Sequence, residues 1–277
     1  MLVEEARWFY ARLARMAAER LSPMLNVGSQ TLHFRRFVQP WIERYIFEPL
    51  QQRGVKVVHT DIRAGAGVDI VGDLMDAEFI ERLRLYRFQS VFCSNLLEHV
   101  PQPKLLAERL VSILPLGGLL FVSCPRAFPY HPDPIDTGLR PDVEQLANLF
   151  PETRLVVGEI VDCGPLWHYI VARLRSRTPM YDEMSSARNG LTGSPVQAPA
   201  SVQSLDHTAG SDRYAGRATG AATLVGEAEV QPTGDRPWKR ALRLLAWLCR
   251  PVSATCAILE TVPVWRRNSP GDRPCVS

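Results

Sequence analysis

Short apolar runs alternate with amphipathic segments over the first 175 residues, and nearly every run ends on a glycine or a polar residue. Residues 4–20 are expected as a helix with Trp8, Leu13 and Ala17 among its apolar positions. A strand follows at 24–27 and stops at Gly28, and a mainly helical stretch then runs through Phe37, Ile42, Ile46 and Leu50. Further strands are expected at 55–60, 69–71, 90–93 and 119–123, the last ended by Pro125. Helices are expected between them at 76–86 and 103–114, where Leu105, Leu106, Leu110, Val111 and Leu114 recur at helical spacing. Strands that are apolar at almost every position must be covered on both faces. The alternation therefore specifies an α/β fold, a parallel sheet between two layers of helices. After a helix near 142–149, a sixth strand is expected at 154–162 and a seventh at 252–259, rich in β-branched residues.

Composition narrows the class of protein further. A chain of 277 residues, 46% of them hydrophobic, can build one such core without disulfide or metal staples. The 32 basic residues nearly balance the 29 acidic ones, and no basic stripe is present, so nucleic-acid binding is not expected. No stretch reaches the roughly 18 apolar residues of a membrane span. Arg7, Arg12, Arg15 and Arg20 interrupt the first apolar positions, so a cytoplasmic protein without a signal peptide is expected. The six cysteines form no CxxC pair, and Cys93, Cys124, Cys163 and Cys256 read as small core residues.

The chain divides into a core at 1–175, an insertion at 176–236, a closing helix and strand at 237–266, and a flexible tail at 267–277. The insertion holds seven of the 18 glycines and no Ile, Phe or Trp, so disorder is expected there. In 237–250, Trp238, Leu242, Leu245 and Leu248 lie along one side, with Lys239, Arg240, Arg243 and Arg250 elsewhere. Weak contact with a membrane surface is one reading. Packing onto the sheet is the favoured one, because Leu244 and Trp247 widen the apolar face and a strand follows directly.

Ligands of open α/β sheets bind beyond the carboxyl ends of the strands. Here Gly28 and Ser29 follow the first strand, Asp61 the second, Asp73 the third, and Ser94 and Asn95 the fourth. A glycine that admits close backbone approach and two successive carboxylates together suit a nucleoside.

These residues resemble the cofactor motifs of class I S-adenosylmethionine-dependent methyltransferases. Asn95-Leu96-Leu97-Glu98-His99-Val100, followed by Leu114-Pro115-Leu116-Gly117-Gly118, is similar to the signature of the type 11 small-molecule methyltransferases. The resemblance spans about residues 20–163. It implies a Rossmann-like seven-stranded sheet, with strands one to six parallel and the last antiparallel. It also implies S-adenosylmethionine as cofactor, held by Asn26, Gly28, Ser29, Asp61, Asp73, Leu74, Ser94 and Asn95. The first motif departs from the family pattern: Asn26 replaces an acid, Gln30 the second glycine and Leu32 the third.

For a hydroxyl acceptor, a general base is needed, and His99, His131 and Asp136 are the candidates. The proline-rich segment 124–141 lies at the ligand-binding edge and looks like a loop of methyltransferases in glycan and surface-polymer pathways. By that likeness Tyr130, Asp133 and Arg140 are expected to grip a small polar or glycan-type acceptor; the alternative is a loop pinned by an Asp136–Arg140 ion pair, with no chemistry. Some relatives bind a metal through Glu-x-x-Glu-His, but Asn95 stands at the first carboxylate, so no metal site is expected. The competing readings are a catalytically silent binding or scaffold protein and a dinucleotide oxidoreductase. The second is disfavoured because no G-x-G-x-x-G follows the first strand.

Overall fold

The computed structural model describes residues 1–132, 134–176 and 237–263. The segments expected as an insertion and a tail lie almost wholly outside the described residues. Seven strands form one sheet: β1 (Met24–Val27), β2 (Val57–Asp61), β3 (Ile70–Val71), β4 (Ser90–Ser94), β5 (Leu119–Ala127), β6 (Thr153–Pro165) and β7 (Pro251–Thr261). Their order is β3-β2-β1-β4-β5-β7-β6. Strands β1 to β5 pair in parallel, while β7 runs antiparallel to both β5 and β6.

Alternate residues of each strand feed two separate cores. Met24, Phe92, Phe121 and Ile258 face one side, where α1 (Val3–Leu13), α3 (Glu48–Gln52) and α7 (Leu166–Ser176) pack. Leu25, Val91, Cys93, Leu120 and Leu259 face the other, against α4 (Ala77–Arg84), α5 (Pro103–Ile113) and α6 (Val143–Asn148). The sheet is thus sealed on both sides, as its unbroken apolar strands require. Two π-helical turns, Phe34–Val38 and Glu43–Phe47, lead into α3.

Three expectations need correction. The helix at 4–20 ends at Leu13 and restarts as α2 (Ala18–Leu21). The Arg53 guanidinium donates to the carbonyls of Leu13 and Met16, satisfying the oxygens that a continuing helix would have used. Pro125 does not stop β5, which continues to Ala127 paired with β7. Since β4 ends at Ser94, the missing N–H of Pro125 faces no partner strand on that side. Last, α8 (Pro237–Leu248) does not bury its apolar residues on the sheet: Leu242, Leu244 and Leu245 are all more than half exposed. Among the described residues no helix is long and apolar enough to cross a membrane. Cys93, Cys124, Cys163 and Cys256 are buried free thiols, in line with their reading as core residues.

Candidate active site

Strand order reverses between β1 and β4, the place where an α/β sheet opens a crevice at its carboxyl edge. A cavity of about 1330 Å³ occupies it. Single-ligand pockets hold roughly 300–1,000 Å³, so this one has room for two ligands side by side. All eight residues expected to bind cofactor line it: Asn26, Gly28, Ser29, Asp61, Asp73, Leu74, Ser94 and Asn95.

The β1–β3 side is built from backbone and carboxylates. Gly28 has φ of +61°, a conformation that favours glycine, and a Cβ there would lie 2.9 Å from a methyl carbon of Leu96 and push that side chain aside. Asp61 ends β2 and accepts from the N–H of Gln30 at 2.8 Å and of Arg63 at 3.1 Å. Each of its oxygens keeps a second lone pair. The Asp73 carboxylate accepts from the N–H of Met75 at 2.8 Å through one oxygen, and no other bond to it is seen among the described residues. Ile62, 60% exposed at the cavity wall, offers an apolar surface beside Asp61.

Where the family pattern has glycines, a buried ion pair shapes the loop instead. Gln30 adopts φ of +54°, a left-handed conformation that costs a side chain about 1–2 kcal/mol. Arg35 holds it there. Its guanidinium donates to the carbonyls of Ser29 (3.0 Å), Gln30 (2.7 Å) and Gly67 (2.9 Å), and it pairs with Glu43 at 2.9 Å. Asn26 has a similar local cause. Its amide donates to His59 Nδ1 at 3.0 Å, which an aspartate could not do. Burial, and secondarily Arg35, push His59 down to about 3, so the imidazole is neutral and able to accept.

The end of β4 hangs on a carboxylate from α1. Glu5 is fully buried and accepts from Ser94 Oγ (3.1 Å), Asn95 Nδ2 (2.8 Å), Ser123 Oγ and the N–H of Leu2 (2.8 Å). Asn95 is left-handed at φ +47°, a conformation asparagine tolerates better than most residues.

The far half of the cavity is walled by Phe34, Gln39, Phe128, His131, Tyr169 and Arg173. Of these only His131 is among the expected site residues. Tyr169 and Arg173 come from α7, whose apolar spacing in the sequence is the signal that would have found it. Gln39 and Arg173 donate to the Tyr169 hydroxyl at 3.1 and 3.3 Å.

His99 and His131 both line the cavity, with ring centroids 5.1 Å apart. Each has its Nδ1 bound to backbone: His99 to the Ile135 carbonyl at 2.6 Å, His131 to that of Pro129 at 3.0 Å. That fixes the tautomer with Nδ1 as donor and leaves the Nε2 lone pair available. Burial holds the His131 imidazole below its ordinary value.

The loop residues divide differently from expectation. Asp136 has a buried carboxylate that accepts two bonds from Arg140, at 3.1 and 2.7 Å, and others from the N–H of Gly138 and of His131. Those four donors hold it ionised, well below the usual carboxylate range despite its burial. It is absent from the cavity wall, so it fits a positioning residue for His131 and not a base. Arg140 is likewise consumed by Asp136 and does not line the cavity. Tyr130 is 70% exposed and also off the wall. Asp133 lies outside the described residues.

The seven-stranded order with its antiparallel β7, and the cavity at the reversal point, are those of the class I methyltransferase fold. No protein-family model matches the sequence, and no curated protein matches it either. Solved structures resemble the chain in backbone only, at low identity. A SAM-dependent methyltransferase from Archaeoglobus fulgidus is 12% identical, with a TM-score of 0.44 over 92% of this chain and 94% of that one. Coclaurine N-methyltransferase, bound to N-methylheliamine and S-adenosylhomocysteine, is 14% identical, with a TM-score of 0.42 over 92% and 71%. The cyclase SpnF is 14% identical, with a TM-score of 0.42 over 91% and 81%.

Proposed function

We propose that the protein is an S-adenosylmethionine-dependent methyltransferase acting on a small polar or glycan-type acceptor. One observation carries this reading: the two carboxylates ending β2 and β3 share a cavity with the glycine turn after β1 and the Ser94-Asn95 corner.

The residues fit an adenosyl cofactor. Asp61 retains lone pairs for the two ribose hydroxyls, and Ile62 and Leu74 offer apolar cover for a base. Asp73 can accept from an exocyclic amine. Gly28 lets the main chain approach the amino-acid part, and the Asn95 corner would border it. The bound cofactor supplies an electrophilic methyl carbon. What remains for the protein is alignment of the acceptor with that carbon, and alignment accounts for most of the rate in such transfers. Phe128 and Tyr169 wall the acceptor half, and His99 and His131 line the same cavity. An imidazole there can take the proton of an acceptor hydroxyl.

Asp61→Ala is expected to weaken S-adenosylhomocysteine binding at least tenfold, about 1.4 kcal/mol. Isothermal calorimetry measures it, with the unfolding midpoint recorded in parallel because Asp61 also braces Gln30 and Arg63. Unchanged affinity in a folded variant contradicts the assignment.

A further inference from the structure

Glu98 sits in the turn Leu97–His99 after β4 with no exposed surface. Its Oε2 faces the Cys124 thiol at 3.7 Å, while Oε1 has no hydrogen-bond partner. A buried carboxylate oxygen left bare is unfavourable, the more so if charged. What faces this oxygen is a nitrogen: His99 Nε2 lies 3.7 Å away, too far for a hydrogen bond. That separation suits two ligands of one cation.

A third donor comes from a different element. Glu98, His99 and His131 each offer one ligating atom, and the three atoms lie within 4.8 Å of one another. Both imidazoles already donate through Nδ1, to the carbonyls of Ile135 and Pro129, and His131 Nδ1 is also 3.2 Å from Asp136. Such outer bonds orient metal-ligating histidines and make their other nitrogen more basic. Asp136, clamped by Arg140, also receives the His131 N–H at 3.1 Å and so fixes the loop that delivers the ring.

We infer that Glu98, His99 and His131 form a binding site for a first-row divalent cation, with its open coordination positions facing the cavity. Two imidazoles and one carboxylate suit zinc, manganese or cobalt better than the oxygen-seeking magnesium or calcium. The absence of a carboxylate at Asn95 does not count against it, because His131 supplies the third ligand from the loop after β5. Only the consequence for catalysis rests on the methyltransferase reading: a hydroxyl ligated there would lose its proton to solvent more readily, in place of direct abstraction by histidine.

The test uses the full chain, stripped with EDTA and dialysed, titrated with Co²⁺ and followed by calorimetry and visible absorption. One saturating equivalent is expected, with d–d bands free of thiolate charge transfer. His131→Ala, on an irregular loop, and the near-isosteric Glu98→Gln should each weaken binding at least tenfold. Both should leave S-adenosylhomocysteine affinity within about twofold, which separates failure here from failure of the cofactor reading. No saturable binding by the folded chain overturns the proposal, and so does full Co²⁺ affinity in either variant.

Discussion

Replacing Arg35 with methionine is expected to lower the unfolding free energy by about 3–5 kcal/mol, the usual cost of stranding one member of a buried ion pair. The side chain is only 2% exposed, and Glu43, its partner at 2.9 Å, is 11% exposed. Methionine matches the length of the aliphatic stem, so packing is nearly kept while the charge is lost. The Glu43 carboxylate then lacks its cation, and the carbonyls of Ser29, Gln30 and Gly67 lose their donors. Urea unfolding measures the change. The double variant Arg35→Met, Glu43→Leu should recover part of the loss, since an apolar pair leaves no buried charge. Recovery of stability without recovery of cofactor affinity would show the second role of Arg35, holding Gln30 in its left-handed turn. A single variant within 1 kcal/mol of the parent would show that the ion pair does not brace the loop.

Acidification should destabilise the protein through His59. Its folded pKa is about 3 against an ordinary 6.5, so the unfolded chain takes up a proton that the folded one refuses. Stability from this group is complete above pH 6.5 and is lost as pH falls toward 3. By linkage the loss approaches about 4–5 kcal/mol. Glu98 works in the opposite sense. Burial raises its carboxyl to about 7, so the folded state holds a proton that the unfolded state releases above 4.5. Its contribution is full below pH 4.5 and is lost as pH rises through 7, by about 3 kcal/mol. Subtracting the His59→Gln stability curve from the parent's isolates the first effect, because Glu98 is common to both. The difference should grow steadily from pH 6.5 downward; a flat difference would mean that His59 protonates freely in the folded protein.

Neither Arg35 nor His59 is marked in the sequence for its role, for a definable reason. The central strands β1, β4 and β5 were legible because they are mostly apolar, and polar residues at the strand ends mark the cavity: Gly28, Asp61, Asp73, Ser94 and Asn95 all line it. Arg35 and Glu5 carry no such mark. One lies among helical residues with Arg36 beside it, the other in an amphipathic helix next to Glu4, and only tertiary contact separates the buried charge from its exposed neighbour. The departures at Asn26 and Gln30 were visible as departures, but their compensation by His59 and Arg35 depends on the packing of β1 against β2 and the fold-back of the turn after Thr31. The loop at 124–141 was placed correctly at the edge. Its i, i+4 spacing also allows the Asp136–Arg140 ion pair that the structure shows, and that pair, not an acceptor, takes up both charges. His131 is the exception, and its closeness to His99 and Glu98 joins segments some thirty residues apart.

The cavity at the strand ends is proposed to take an adenosyl cofactor. Calorimetric titration of the folded full chain with S-adenosylhomocysteine tests it most directly. One saturable site with affinity of about micromolar order is expected. No heat and no shift in unfolding temperature at millimolar ligand would contradict it, leaving a methyltransferase fold that binds something else.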